Sequence, residues 1–197
     1  MAALQAATQV TPVHRSVDLE ALFKQCFYRD YQTLLIGGAD EPLYSPAKYS
    51  PATSSDEPHR LYYRADYFAS ALHEIAHWCI AGAQRRQQED WGYWYCPDGR
   101  SPAQQRAFEA VEVKPQAVEW MLSVAAAAPF RISSDNLLGM ASNSEEGSDF
   151  SQAVAAQVQR YRQSAMPPRA SQFFFALAAF YGVGDPLAES HYAGFKP

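Results

Sequence analysis

The stretch Leu72-His73-Glu74-Ile75-Ala76-His77-Trp78 governs how the rest of the chain is read. It holds His-Glu-x-x-His within a segment where Phe68, Leu72, Ile75 and Cys79 recur at helical spacing. That periodicity predicts a helix from about Asp66 to Ala83. Residues four apart lie one turn above each other, so both imidazoles point the same way and two neutral nitrogens reach one divalent cation. Glu74 stands between them, placed for its carboxylate to reach a metal-bound water without being a ligand. Composition alone gives about 0.007 expected occurrences of this pattern in a chain of this length.

Working outward, Ser16 or Asp18 is placed to cap a first helix whose stripe is Leu19, Leu22, Phe23, Cys26 and Phe27. Leu34-Leu35-Ile36 and Arg60 to Arg64 are short strand candidates. Between them, Ala39 to Pro58 carries four prolines and is expected to be a long irregular loop. Asp90 to Cys96 alternates like a strand. Ser101-Pro102-Ala103-Gln104 opens a helix to about Ala127: a Ser cap, Pro in the first turn, and Gln closing a capping box. Pro115 is expected to kink it. A polar loop from Phe130 to Asp149, a helix from Phe150 to Ser164, and a last helix ending at Gly182 complete the reading. The expected fold is α+β: a flexible tail over residues 1–15, then one mainly helical domain over 16–197 with a few short strands and zincin-like active-site helices.

Two histidines need a third protein ligand. Glu109 and Glu112 share a face of the helix after Ser101, and Glu112 lies beside the expected core stripe Phe108, Val111, Pro115 and Val118. A carboxylate beside an apolar stripe is costly unless a cation compensates it, so Glu112 is the expected ligand and Glu109 the alternative. Gln116, one turn on, suits a supporting hydrogen bond, whereas Glu119 is expected at the surface. Two His and one carboxylate serve zinc in a metallopeptidase, with Glu74 as general base, or Fe(II) in an oxygenase. A non-catalytic metal-binding adaptor is a third reading. Spacing does not choose among them. Tyr62, Tyr63, Tyr67, Trp78, Trp94 and the Trp91–Tyr95 run are candidate pocket walls.

The chain has 197 residues and a formal charge of −5, with 48% hydrophobic and 14% aromatic residues. That excludes wholesale disorder and makes binding to nucleic-acid phosphates a poor prospect. No apolar run approaches the roughly 20 residues of a membrane span, and Met1 to Arg15 lacks the pattern of a secretory signal. Three widely spaced cysteines suit a reducing cytoplasm. Residues 60–114 carry seven basic and seven acidic side chains, so inward-facing glutamates would leave a basic rim that includes Arg85 and Arg86.

The run Ala69 to Gly82 around the motif resembles the bacterial elongation factor P hydroxylase family. So do Gly92-Tyr93-Trp94-Tyr95-Cys96-Pro97-Asp98-Gly99-Arg100 and the segment Phe108 to Ala117. Asp40-Glu41-Pro42-Leu43-Tyr44 and the Cys26-Phe27 helix are also similar, and the resemblance covers most of residues 17–185. It implies a non-haem, iron-dependent hydroxylase acting on elongation factor P at a lysine that already carries a β-lysyl group. The metal-binding His-Glu-x-x-His maps onto His73, Glu74 and His77, with the acidic ligand between Phe108 and Glu112. Dioxygen is the implied co-substrate, and no fingerprint for 2-oxoglutarate, flavin or nicotinamide is present. Glu74 then serves as proton donor or hydrogen-bond partner rather than hydrolytic base. A long cationic side chain as substrate makes Glu109, Gln116, Tyr93, Tyr95, Asp98 and Arg100 candidate contacts, with Asp66 a further acid to grip it.

Overall fold

A computed structural model describes residues 12–47, 57–91, 100–133 and 144–193. Among the described residues, five α-helices and a small sheet follow in the order α1 (Ser16–Tyr31), β1 (Thr33–Ala39), β2 (Leu43–Ser45), β3 (His59–Arg64), α2 (Phe68–Ile80), α3 (Pro102–Ala125), α4 (Ser144–Gln163) and α5 (Pro168–Tyr181). The architecture is α+β and mainly helical. β3 is the central strand, parallel to β1 and antiparallel to β2. Leu35 and Tyr44 both pair with Leu61, and all three are buried. The expected loop from Ala39 to Pro58 thus contributes an edge strand, β2, too short to signal itself by alternation.

α1 packs on β1, and α2 packs on β3, α3 and α5. Of the α1 stripe, Leu19, Phe23 and Phe27 are fully buried. Phe23, Phe27, Trp78 and Phe173 form one aromatic cluster, with centroids 4.9 to 6.0 Å apart in tilted and edge-on geometries. Burying rings of this size contributes about 1.5–3 kcal/mol each. This cluster fixes α2 against α1 and α5.

The C-terminus of α2 is tied down by charge. Arg169 on α5 donates from Nη2 to the carbonyls of Trp78, Cys79 and Ala81 at 2.9, 3.0 and 2.5 Å. Its guanidinium lies 4.8 Å from the Trp78 ring and 5.3 Å from the Tyr31 ring. Arg86 adds a bond from Nη1 to Ala81 O at 2.6 Å. Terminal carbonyls of a helix have no partner within it and carry partial negative charge, which two guanidinium groups satisfy.

α3 begins as its sequence dictates. Ser101 accepts from the Gln104 backbone, Gln104 returns a bond to the Ser101 N–H, and Pro102 takes the first turn. The helix runs through Pro115 for 24 residues. Val111, expected in the core, is exposed, while Phe108, Pro115 and Val118 are buried. α4 starts at Ser144, inside the segment expected to be loop; its first turn is Ser, Glu, Glu and Gly, which carries no apolar period. Residues 1–11 of the expected tail lie outside the described residues, but His14 is docked: Nε2 pairs with Ala126 O at 2.8 Å, and the ring sits against Phe68 and Tyr181. Of the expected Asp90–Cys96 strand, the described part makes only a bridge between Asp90 and Tyr44. Among the described residues, no helix is long and apolar enough to cross a membrane.

Candidate metal centre

The site forms where α2 crosses α3. α2 is apolar toward the core through Leu72, Ile75, Ala76 and Cys79, which leaves His73, Glu74 and His77 on the side facing α3. α3 is apolar over most of its buried length, yet Glu112, Gln116, Glu119 and Ser123 are all buried. Their spacing of four, three and four residues places them on one helical face. That face supplies the acids and α2 supplies the bases.

Nε2 of His73 and Nε2 of His77 lie 3.1 Å apart. Nε2 of His77 is 3.3 Å from Glu112 Oε1, and Nε2 of His73 is 3.9 Å from Glu112 Oε2. Donors about 2.0–2.2 Å from a common ion sit roughly 3.0–3.5 Å from one another, a range that holds two of these three spacings, the third being wider. Among the described residues, His73, His77 and Glu112 are the group of three that fits a metal ion. Glu112 Oε2 is buried without a hydrogen-bond partner, as an oxygen reserved for a cation would be. Both the donor set and the orphaned oxygen fit a divalent metal.

The electrostatics have identifiable sources. Burial disfavours a charged His73, but the carboxylates of Glu119, Glu74 and Glu112 overcome it and push its pKa up to about 10. Burial also opposes the charge on Glu112; His77, His73 and a hydrogen bond from Gln116 outweigh it and hold the carboxyl below its ordinary value. Glu74 is moved the other way: burial raises its pKa, with Glu112 and Glu119 adding to the rise and both histidines opposing it. Two neighbouring carboxyls are thus driven apart, one toward the ionised form and one toward the protonated form.

The sequence reading missed Glu119. Expected at the surface, it is 9% exposed and its Oε2 meets Nδ1 of His73 at 2.8 Å. The signal was present in the seven-residue interval from Glu112, which returns a residue to the same face. Glu109, the alternative ligand, lies outside the triangle and accepts instead from Gln105 Nε2 at 2.8 Å.

The model of the family described as elongation factor P hydroxylase matches residues 22–192. The chain belongs to the elongation factor P hydroxylase family. A curated relative, the elongation factor P lysine hydroxylase of Haemophilus influenzae, is 46% identical over 175 residues, which span 88% of this chain and 93% of that protein.

Within this family member, the other expected site residues fall as follows. Gln116 is buried beside Glu112 and also grips Ser133, donating from Nε2 to Ser133 O at 2.5 Å and accepting from Ser133 N at 3.1 Å. Arg100 stacks on Phe108 with its guanidinium carbon 3.9 Å from the ring centroid. Tyr93, Tyr95, Asp98 and Trp94 lie outside the described residues. Tyr63 and Trp78, expected as pocket wall, are core residues, while Tyr67 is exposed. Asp66 lies by Gly37 and Tyr63, at the end of the sheet. The expected basic rim is reduced: Arg85 is held by Asp90 at 2.6 Å, and Arg86 folds inward over Tyr31 and Trp78.

Proposed function

We propose that this chain hydroxylates a lysine of elongation factor P, at a residue already extended by a β-lysyl group, using a divalent metal held by His73, His77 and Glu112. The reading is supported by the conjunction of family membership with a cluster of His73, His77 and Glu112 whose donor atoms lie near enough to share one ion. Iron is the metal this chemistry calls for. When bound, it supplies the redox capacity with dioxygen that insertion of oxygen into an unactivated C–H bond requires and that acid–base side chains lack.

The protein's own groups then have definite tasks. His73 and His77 give neutral nitrogens and Glu112 gives the ionised oxygen, a set that leaves open positions on an iron-type centre. Glu74, with its pKa raised by burial, is suited to hold a proton at its carboxyl oxygen and deliver it beside the reacting atoms. The two histidines favour the ionised form of Glu112, and Gln116 ties the chain after α3 to the same polar face. The neighbouring carboxylates favour an ammonium group over a neutral one. Free Cys26 and Cys79 support a reducing, cytoplasmic setting. The metallopeptidase alternative draws no support from the family or from the relative.

The test is incubation of β-lysylated elongation factor P with the purified chain, Fe(II) and dioxygen. The expected result is a gain of about 16 Da on the modified lysine, absent without iron and absent with H73A or E112A. No gain with iron present, or full activity in H73A, would overturn the assignment.

A further inference from the structure

We propose that Glu119 is a positioning residue: its carboxylate holds His73 as the Nδ1–H form and so aims Nε2 at the point shared with His77 and Glu112. The inference rests on the metal-centre reading above. It starts from the 2.8 Å contact between Glu119 Oε2 and His73 Nδ1. An ionised carboxylate only accepts, so the proton of that bond belongs to Nδ1. With Nδ1 committed, Nε2 is the atom left to face Nε2 of His77 at 3.1 Å. Turning the ring over would set a carbon against the carboxylate and lose the bond.

The packing makes the arrangement durable. Glu119 is 9% exposed and shares its helical face with Glu112 and Gln116, so one helix carries both the candidate ligand and the group that orients the opposite ligand. His77 is treated differently: among the described residues, its contacts are through Nε2, to His73 and to Glu112. The two imidazoles are therefore unequal. His73 is fixed from behind, and His77 is left to adjust. A carboxylate behind an imidazole also strengthens the donor nitrogen on the far side.

The test uses the full-length, metal-free chain titrated with Co(II), followed by visible absorption and chelator competition. E119L, which has no acceptor, is expected to bind Co(II) roughly 10- to 100-fold more weakly than the parent. E119Q, whose amide oxygen still accepts from Nδ1, is expected to recover most of that loss. A merely space-filling role would let E119L and E119Q behave alike. E119L that is folded and binds Co(II) as tightly as the parent would overturn the role. Nitrogen-15 histidine spectra of the unmodified chain loaded with Zn(II) decide independently of any variant's folding. Nδ1 of His73 is expected to carry the proton, and metal bound through Nδ1 would refute the proposal. H73A is the control for the parent reading: a parent chain that binds Co(II) no better than H73A would overturn the metal centre itself, and this role with it.

Discussion

Replacing Arg169 with Ala should cost far more than a typical partly exposed side chain. One Nη2 serves the carbonyls of Trp78, Cys79 and Ala81, at the C-terminal end and cap of the helix that presents both histidines. Two hydrogens shared by three acceptors amount to about two charge-assisted bonds, each worth about 1.5–3 kcal/mol. Stacking on Trp78 at 4.8 Å adds about 0.5–2 kcal/mol, and the helix terminus adds about 0.3–1 kcal/mol. Against these stand the entropy of ordering the side chain and a buried Nε without a partner. Arg86 keeps one bond to Ala81 and offsets part of the loss. The net expectation is a destabilisation of about 3 kcal/mol. For a domain of this size that corresponds to a fall in Tm of about 6–12 °C. R169K retains the charge but not the fork and should lose roughly half as much. Urea denaturation of the metal-free chain, with m unchanged, is the assay. A loss below about 1 kcal/mol for R169A would refute the view that this contact locks α2 in place.

Four further outcomes are expected. E112Q should lose Co(II) binding while E109Q keeps it, by titration of the metal-free protein, because Glu109 is turned toward Gln105. The metal-free chain should lose stability as pH rises. His73 is protonated in the fold up to about pH 10 but only to its ordinary value near 6.5 when unfolded, so its contribution is complete below 6.5 and gone above about 10, with a slope of at most about 1.4 kcal/mol per pH unit between. Over that same window metal affinity should rise, since the ion displaces that proton; urea midpoints and Co(II) titrations at several pH values check both signs, and H73Q should flatten the first. G37A should destabilise by about 1–3 kcal/mol in urea, because a Cβ there would sit 2.5 Å from the hydroxyl of fully buried Tyr63 and 2.8 Å from Asp66 Oδ1.

The parts of the molecule legible in the sequence are those governed by local spacing. The His-Glu-x-x-His helix, the Ser101 capping box and the α1 stripe each depend on residues within a turn or two of one another. The burial of Glu112 near the histidines was also legible, since it stands beside the apolar stripe of its helix. What was not legible depends on contacts far apart along the chain. Glu119 reads as an ordinary helical charge until His73, 46 residues away, is seen behind it. Arg86 reads as a surface charge until Trp78 and Tyr31 are seen beneath it. Tyr63 reads as pocket aromatic until Glu20 is found to accept its hydroxyl at 2.8 Å. The start of α4 lacks any apolar period, so no spacing rule finds it.

The order of the sheet bears on how the protein reaches its fold. Among the described residues, β1 and β2 each lie beside β3 in the sheet and not beside each other, and β3 is the last of the three to be made. β1 therefore has no strand partner until residue 59 has left the ribosome, and the pairing it then makes closes a loop of more than twenty residues. β3 runs almost directly into α2, with three residues between them. Docking of β3 beside β1 therefore also brings the start of the histidine-bearing helix to the sheet. The spacing of the two histidines is local to α2, but their meeting with Glu112 and Glu119 needs α3 packed against it.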